Sequence, residues 1–237
     1  MILDLQGNQI TWFGHSTFRL DTALGKTIVI DPWVMNNPKC PPDKKKFDKI
    51  DLMLCTHGHG DHIGDAVELA KKFNPTVVGV YELCLWMAKK GVKQIAPMNK
   101  GGSQSQHEVR ITMVHADHSC GIEDGGEIIY GGEACGYVLE FASGLKLYHA
   151  GDTNVFGDMR IIHELYQPEL VMLPIGDLFT MGPREAALAC TYLRPKVVIP
   201  MHFGTFPVLT GTAEELRRKV QDLDIEVLDL QPGQSIG

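Results

Sequence analysis

The sequence predicts a mixed α/β fold in which two β-sheets pack face to face and helices cover them from outside. Short apolar runs typical of strands recur along the whole chain, and helical patterns are interspersed among them. The strands are too numerous for one small sheet, which is why two sheets are expected. The 237 residues, of which 44% are apolar, are enough for one large domain or two small ones.

The strands are predicted from these short apolar runs. They are expected at residues 10–20, 27–30, 52–56, 76–80, 109–115, 136–141, 145–148, 170–173, 197–199 and 226–230. In the run 109–115 the apolar residues alternate with polar ones, as in a strand that is buried on one face. The run 197–199 is apolar throughout, which is typical of a strand covered on both faces.

Helices are predicted between the strands, at residues 65–73, 81–90, 183–193 and 213–223. Pro183 suits the first turn of the third helix, because a proline there gives up no helical hydrogen bond. Thr212 and Glu215 have the spacing of a capping box, which predicts that the last helix begins at residue 213. Residues 36–46, with three prolines and a lysine run, and residues 101–106 are expected to be loops.

The charge and the cysteine content restrict the classes of partner and the cellular location that are expected for the chain. The 22 Lys and Arg against 29 Asp and Glu give a net charge of -7, which argues against broad binding to nucleic acids or membranes. No apolar run approaches the roughly 20 residues that span a bilayer, and residues 1–9 do not resemble a secretory signal. The six cysteines contain no Cys-x-x-Cys pair and are expected to be free, buried thiols, which favours a cytoplasmic location.

The strongest chemical pattern follows a predicted strand, where residues 56–62 read Thr-His-Gly-His-Gly-Asp-His. Imidazole and carboxylate groups are the usual ligands of first-row metals. Because alternate side chains of an extended backbone point the same way, His57 and His59 are expected to face one ion. The glycines let the chain turn, so that Asp61 and His62 can reach a second ion. The alternative, a histidine-rich polar turn, is disfavoured because this spacing rarely arises by chance.

Three further ligand candidates follow other predicted strands. His118 comes after the run 109–115, Asp152 after the run 145–148 and His202 after the run 197–199. Taken singly, each residue is more often a structural residue of a turn than a ligand. Their recurrence at strand ends, together with the motif at 56–62, favours a catalytic site assembled from distant parts of the chain.

This succession of motifs resembles the metallo-β-lactamase superfamily. The resemblance rests on His-x-His-x-Asp-His, a distant histidine, Gly-Asp-Thr at 151–153 and a last histidine at 202. The segments 10–16, 30–32, 176–183 and 200–207 resemble the metal-dependent hydrolases close to L-ascorbate-6-phosphate lactonase. The resemblance implies a four-layer αββα sandwich, one catalytic domain over residues 1–237, and a site at the sheet edges.

The resemblance also implies a ligand set. A first metal ion would be held by His57, His59 and His118. A second would be held by Asp61, His62 and His202, with Asp152 bridging both. His115 lies on the same loop as His118 and is the alternative third ligand of the first ion. We prefer His118 because the following serine matches the relatives better, which leaves His115 beside the site.

The implied function is a hydrolase with two divalent metal ions, zinc by preference, although the ligands also suit manganese, iron or nickel. A hydroxide between the metals would attack an ester, a lactone or a sugar-phosphate-like small molecule, which is anionic in the last case. Asp61 is the acid/base candidate and His15 the candidate proton donor, or else a structural histidine. The alternatives are a phosphodiesterase and a non-catalytic metal-binding sensor or scaffold. The relatives also suggest a homo-oligomer.

Several other residues have two interpretations each. Asp31 is either a support for the histidine ligands or a turn cap, and Asp177 poses the same choice. His149 precedes the Gly-Asp-Thr turn but is expected to point away from the metals, and Cys120 is expected to pack rather than ligate. The aromatic residues that either line a substrate pocket or belong to the core are Trp33, Phe179, Phe203 and Phe206.

Overall fold

The structure, a computed structural model, describes residues 3–237 of the chain. The first strands are β1 (Gln9–Trp12), β2 (Phe18–Asp21), β3 (Thr27–Ile30), β4 (Leu52–Leu54), β5 (Thr76–Val80), β6 (Ile95–Met98), β7 (Ser103–Gln106) and β8 (Val109–His115). The later strands are β9 (Gly121–Asp124), β10 (Glu127–Tyr130), β11 (Cys135–Glu140), β12 (Lys146–His149), β13 (Leu170–Pro174), β14 (Val197–Met201), β15 (Glu226–Val227) and β16 (Ser235–Ile236). The helices are α1 (Gly60–Ile63), α2 (Ala66–Phe73), α3 (Tyr81–Lys89), α4 (Met159–Tyr166), α5 (Pro183–Leu193) and α6 (Ala213–Lys219), and a 3₁₀ turn spans Pro42–Lys44.

The strands form two seven-stranded sheets of similar design and one separate hairpin, β9–β10. The first sheet has the order β16-β1-β2-β3-β4-β5-β6, and the second has the order β15-β14-β13-β12-β11-β8-β7. In the first sheet β1 to β3 pair antiparallel and β3 to β6 pair parallel. In the second sheet the strands from β7 to β12 pair antiparallel and those from β12 to β15 pair parallel. Each sheet therefore has a parallel half, and the carboxyl ends of its strands offer positions for a site.

The buried side chains form two clusters, and the cluster to which each side chain belongs shows how the layers are stacked. On β13, Leu170 and Met172 belong to the core between the sheets, whereas Val171 and Leu173 belong to the core beneath α4, α5 and α6. The alternation shows that β13 is covered on both faces, as a parallel strand usually is. On the first sheet, α2 and α3 pack on the outer face through small and apolar residues such as Ala66. The predicted αββα order of four layers is therefore confirmed.

Two expectations about the strands were wrong. The run 10–20 is not one strand, because the chain reverses between β1 and β2 and forms an antiparallel hairpin. Gly14 and His15 have φ values of +93° and +57° at this reversal, a conformation that takes the chain out of the sheet. Residues 101–106 are not all loop, because Ser103–Gln106 pairs with β8 as the edge strand of the second sheet. The capping box was predicted correctly, since Thr212 accepts a hydrogen bond from Glu215 N over 3.2 Å.

Among residues 3–237, no helix is long and apolar enough to cross a bilayer. All six cysteines are free and buried in the structure.

Candidate metal centre

The predicted metal ligands gather where strands of the two sheets end. His57 follows β4, His118 follows β8, Asp152 follows β12 and His202 follows β14. The loops after these strands carry the side chains towards one another from both sheets. The structure thus brings together ligand candidates that lie far apart in the sequence, which is the usual construction of a catalytic site on a rigid scaffold.

The motif at 56–62 turns from a strand into a short helix. His59 is the N-cap of α1, so Asp61 and His62 lie in the first turn of that helix. A side chain at residue 58 would not fit, because a Cβ atom there would lie 2.6 Å from Ile122 Cγ1. The glycine therefore allows the hairpin β9–β10 to approach the backbone between the two histidines.

His57, His59 and His118 form one cluster, which we call the three-histidine group. Their facing ligand atoms all lie within 4.8 Å of one another. His57 Nε2 lies 3.0 Å from His59 Nδ1, and the ring of His118 lies 5.1 Å from each of the other two rings. His57 is buried while the other two are half-buried, so the group is accessible from the side of His59 and His118.

A second cluster, which we call the mixed group, consists of His15, Asp61, His62 and His202, again with ligand atoms within 4.8 Å of one another. His15 Nε2 lies 3.0 Å from Asp61 Oδ2, and the rings of His15 and His202 lie 3.9 Å apart. The three histidines are buried, whereas the Asp61 side chain is 31% exposed. The structure therefore adds His15 to the ligand candidates that the sequence supplied for this group.

The Asp152 carboxylate lies between the two groups. Its Oδ2 atom lies 2.9 Å from His202 Nε2, 3.2 Å from His62 Nε2, 3.7 Å from His118 Nε2 and 4.0 Å from His57 Nε2. Two of these nitrogens belong to each group. One carboxylate oxygen is thus surrounded by imidazole nitrogens from both groups.

Asp31 supports the histidines from behind. Its Oδ2 atom accepts hydrogen bonds from His62 Nδ1 over 2.8 Å and from Thr56 Oγ1 over 2.7 Å. Because the Thr56 hydroxyl donates to Asp31, its oxygen accepts from His57 Nδ1 over 3.0 Å. Both histidines therefore donate from Nδ1, and their Nε2 atoms face Asp152. Of the two interpretations of Asp31, the geometry favours support of the ligands.

A chain of hydrogen bonds also holds Asp61. His15 Nδ1 lies 2.9 Å from Thr205 Oγ1, and His15 Nε2 lies 3.0 Å from Asp61 Oδ2. With an ionised Asp61, the proton of a neutral His15 must sit on Nε2, and the Thr205 hydroxyl then donates to Nδ1. A backbone hydrogen bond adds to this chain, since His202 N donates to His15 O over 3.0 Å. Three separate segments of the chain meet at this buried imidazole.

Burial and neighbouring charges shift the pKa values in opposite directions. Burial lowers the pKa values of His57, His59 and His118, so the three-histidine group is neutral at neutral pH, as metal binding requires. Burial also lowers the pKa of His15, to about 4. For Asp61, burial opposes ionisation, but the contact with His15 and the charge of nearby His62 outweigh it and lower the pKa below its usual range.

His62 behaves differently because it faces two carboxylates. Burial disfavours its charged form, but Asp152 and Asp31 outweigh burial and raise its pKa well above the usual value. In turn, His202 and His62 hold the Asp152 pKa well below the usual value in spite of burial. His62 Nε2 is buried without a hydrogen-bond partner, and so is His202 Nδ1. A position between His62 Nε2 and Asp152 thus favours a cation, and the ligand types fit a divalent metal ion.

The remaining candidates lie outside these groups. His115 accepts a 3.2 Å hydrogen bond from Lys100 Nζ and packs on the ring of Phe156, so the structure places His118 and not His115 with the motif. His149 donates from Nε2 to Ser16 O and accepts at Nδ1 from Gly151 N, both over 3.1 Å. Cys120 donates to Gly131 O, and burial raises the pKa of its thiol to about 11.

Asp177 and the aromatic candidates have different surroundings. Asp177 is exposed and caps its own turn through a 2.7 Å hydrogen bond from Leu178 N. Phe203 stacks on Trp12 in the core, and Phe179 is exposed. Trp33 and Phe206 lie beside His15, with ring centroids 5.2 Å and 5.9 Å from its ring.

Sequence reasoning missed the threonines that support the site. Thr56 and Thr205 bind the ring nitrogens of His57 and His15, yet a threonine beside a histidine has no distinctive spacing. Thr56 precedes the motif directly, so its proximity to His57 was the only available indication. Thr205 lies 190 residues from its partner His15, and only the folded chain shows the pairing.

The sequence and the fold were compared with known proteins. The family model described as "Beta-lactamase superfamily domain" matches residues 9–202. A UPF0173 metal-dependent hydrolase from Koribacter versatilis is 58% identical, over 98% of this chain and 99% of the relative. One from Solibacter usitatus is 54% identical, over 96% and 99%. The solved structure of Igni18, a metallo hydrolase from Ignicoccus hospitalis, superposes with a TM-score of 0.86 at 34% identity and covers 97% of both chains.

Proposed function

The chain belongs to the UPF0173 metal-dependent hydrolases of the beta-lactamase superfamily, and from that premise we propose that it is a dinuclear hydrolase of small carboxylic esters or lactones. The observation that carries the proposal is the position of Asp152 Oδ2, which has imidazole nitrogens of both ligand groups within 4.0 Å. A carboxylate shared in this way is suited to two ions at the short separation that hydrolytic sites use.

We assign the three-histidine group to one ion, and Asp61, His62 and His202 to the other, with Asp152 shared. Two bound divalent ions would lower the pKa of a water molecule between them and polarise the oxygen of the substrate. Zinc is our first choice for these nitrogen and oxygen ligands, and manganese, iron and nickel are the alternatives. The buried free thiols suit a reducing compartment, so we place the protein in the cytoplasm.

Asp61 is our candidate for proton transfer. Its side chain is 31% exposed, whereas the neighbouring histidines of the mixed group are buried, so a substrate entering from solvent reaches Asp61 directly. His15 and His62 keep its pKa low and the carboxylate ionised, so it can accept a proton from an attacking water. The contact with His15 occupies one lone pair of Oδ2, so the remaining lone pairs of the carboxylate are left for the metal ion and for the proton.

His15 has a different role in this proposal from the one that the sequence suggested. It is completely buried, its pKa of about 4 keeps it neutral, and both ring nitrogens have partners within the protein. A histidine bonded in this way has no proton available for a leaving group. We therefore assign it to positioning Asp61, in place of the proton-donor role.

The test is hydrolysis by metal-replete protein, prepared separately with zinc and with manganese. A γ-lactone and a carboxylic ester are assayed beside an activated phosphodiester, with Asp61→Ala as the inactive variant and Asp48→Ala, at an exposed site, as the matched control. We expect ester or lactone turnover that Asp61→Ala abolishes and Asp48→Ala retains. Turnover of the phosphodiester alone would replace the proposal by a phosphodiesterase. No turnover with two metals bound would favour a sensor or scaffold.

A further inference from the structure

Two aromatic side chains, Trp33 and Phe206, lie beside the mixed group and form what we call the aromatic wall. Phe206 and Trp33 both contact His15, and their own ring centroids lie 6.0 Å apart. Asp61 contacts the same imidazole through its carboxylate. The two rings and the proposed proton-transfer group therefore surround one buried histidine, which places the aromatic wall next to the reacting centre.

The two loops that carry Trp33 and Phe206 also carry exposed apolar side chains. Phe206 is 37% exposed and Met35 is 56% exposed, although both are residue types that usually lie inside. Val208, two residues after Phe206, is exposed as well. An exposed apolar surface that adjoins a polar site is a common mark of a ligand-binding surface.

Hydrogen bonds hold these loops in place. Asp65 Oδ2 accepts from Val34 N over 2.6 Å and from Met35 N over 2.9 Å, which fixes the loop of Met35 at the start of α2. Leu209 N donates to Phe206 O over 3.0 Å, which closes the turn that presents Phe206 and Val208. The wall is thus preformed, and a substrate would not have to order it on binding.

The two ligand groups consist of histidines and aspartates alone. Within residues 3–237, the ion pairs of the two ligand groups join only histidines and aspartates, and no Lys or Arg takes part in them. Lys100, which contacts His115, is paired with Glu133, and Lys45 Nζ donates to Met35 O.

We propose that Phe206, with Trp33 and Met35, binds the hydrocarbon part of the substrate, and that the substrate is an ester or lactone with an alkyl or aryl group. This inference rests on the hydrolase function proposed above and narrows its substrate class. Each methylene that the wall removes from water strengthens binding, by roughly two-fold to three-fold where burial is incomplete. The preference therefore grows with chain length until the wall is covered.

The experiment compares p-nitrophenyl esters from acetate to octanoate and, separately, the binding of alkyl hydroxamates of the same chain lengths. Hydroxamates bind divalent metals through their head group, so calorimetry with metal-loaded protein measures the contribution of the chain without turnover. The variants are Phe206→Ser, Phe206→Leu as the apolar replacement, and Leu165→Ser as the control. Leu165 is 64% exposed on α4 and belongs to no part of the site.

We expect kcat/KM and hydroxamate affinity to rise about two-fold per methylene in the native chain and in Phe206→Leu. Phe206→Ser should flatten both series, while Leu165→Ser leaves them unchanged. Turnover without any dependence on chain length would overturn the inference but keep the hydrolase. Chain-dependent hydroxamate binding without turnover would keep the wall and reject the hydrolase. Dissociation of an oligomer by Phe206→Ser would show that a second copy covers the wall, and would also overturn the inference.

Discussion

The two ligand groups on either side of Asp152 are held in different ways. In the mixed group and its support, His15, Asp31 and His202 have φ values of +57°, +48° and +54°, whereas no residue of the three-histidine group has a positive φ. Left-handed backbone at a residue other than glycine costs of order 1–3 kcal/mol and persists only where the surroundings enforce it. The mixed group is therefore a strained arrangement that its hydrogen bonds maintain, and the three-histidine group is a relaxed one.

The hydrogen bonds show the same difference. Thr205 and Asp31 support the mixed group from buried positions, through His15 and His62. His59 has an exposed contact of 3.2 Å with Ser119 Oγ on its outer nitrogen. In the three-histidine group only His57 has a buried support, from Thr56, so buried surroundings preorganise the mixed group more completely. We expect substitutions of supporting residues to affect the mixed group more.

The largest effect is expected from the residue that the two groups share. Asp152→Asn keeps the shape of the side chain but removes the charge that faces four imidazoles. We expect metal content to fall from two ions per chain to one or none, and kcat to fall by more than about 10³-fold. Elemental analysis and steady-state kinetics are the measurements, with Asp48→Asn as the control. Two retained ions and unchanged kcat would show that Asp152 is not shared.

A smaller effect is expected when the support behind the ligands is removed. Asp31→Ala leaves His62 Nδ1 and the Thr56 hydroxyl without their acceptor. Loss of such a supporting carboxylate typically weakens metal binding about 10-fold to 100-fold. Competition with a chelator measures the affinity, and circular dichroism checks that the variant is folded. Equal weakening in Ser119→Ala would remove the distinction between buried and exposed support.

The turn that carries Asp152 should be sensitive to acid. Burial lowers the pKa of His149, whose Nδ1 accepts from Gly151 N. Because the folded pKa lies below the unfolded value of about 6.5, the unfolded chain binds the proton first as the pH falls. Stability is therefore lost progressively from about pH 6.5 down to the folded pKa.

The measurement is the free energy of unfolding of metal-free protein by urea between pH 7 and pH 5. His149→Asn should show a shallower decrease over this interval, because it lacks the titrating group. The contribution of His62 to stability has the opposite pH dependence. Because its folded pKa is raised, that contribution is present below about pH 6.5 and is lost as the pH rises through the folded pKa. An identical pH dependence in native protein and His149→Asn would contradict the assignment.

The smallest effects come from a matched pair of hydroxyl deletions. Thr205→Val leaves a buried ring nitrogen of His15 without its donor, which costs about 1–3 kcal/mol. Ser119→Ala removes the exposed contact of His59 and should cost no more than about 0.5 kcal/mol. Thr205→Ser should restore both the stability and kcat/KM, since it returns the hydroxyl. Equal costs for the two deletions would mean that burial does not distinguish the groups.

The sequence was least informative where an element lacks an apolar pattern. The edge strand Ser103–Gln106 reads Ser-Gln-Ser-Gln and pairs only with β8, so its residues are polar and partly exposed. The helix Met159–Tyr166 was also missed, although its buried residues Met159 and Ile162 lie three apart, as on a helix face. The hairpin at His15 was hidden inside an apolar run, because both of its strands are buried in the same sheet.

The sequence by itself determined the two-sheet α/β fold class and the motif at 56–62, because strand patterns and ligand spacing are local properties of the chain. The resemblance that these motifs carry implied the αββα order and the place of Asp152 between the two groups. Only the tertiary structure decided the contacts of His15, which lies against Asp61 and Thr205, 46 and 190 residues away. The physical reason is that these contacts depend on how the two sheets pack their strand ends together, and no local pattern encodes that packing.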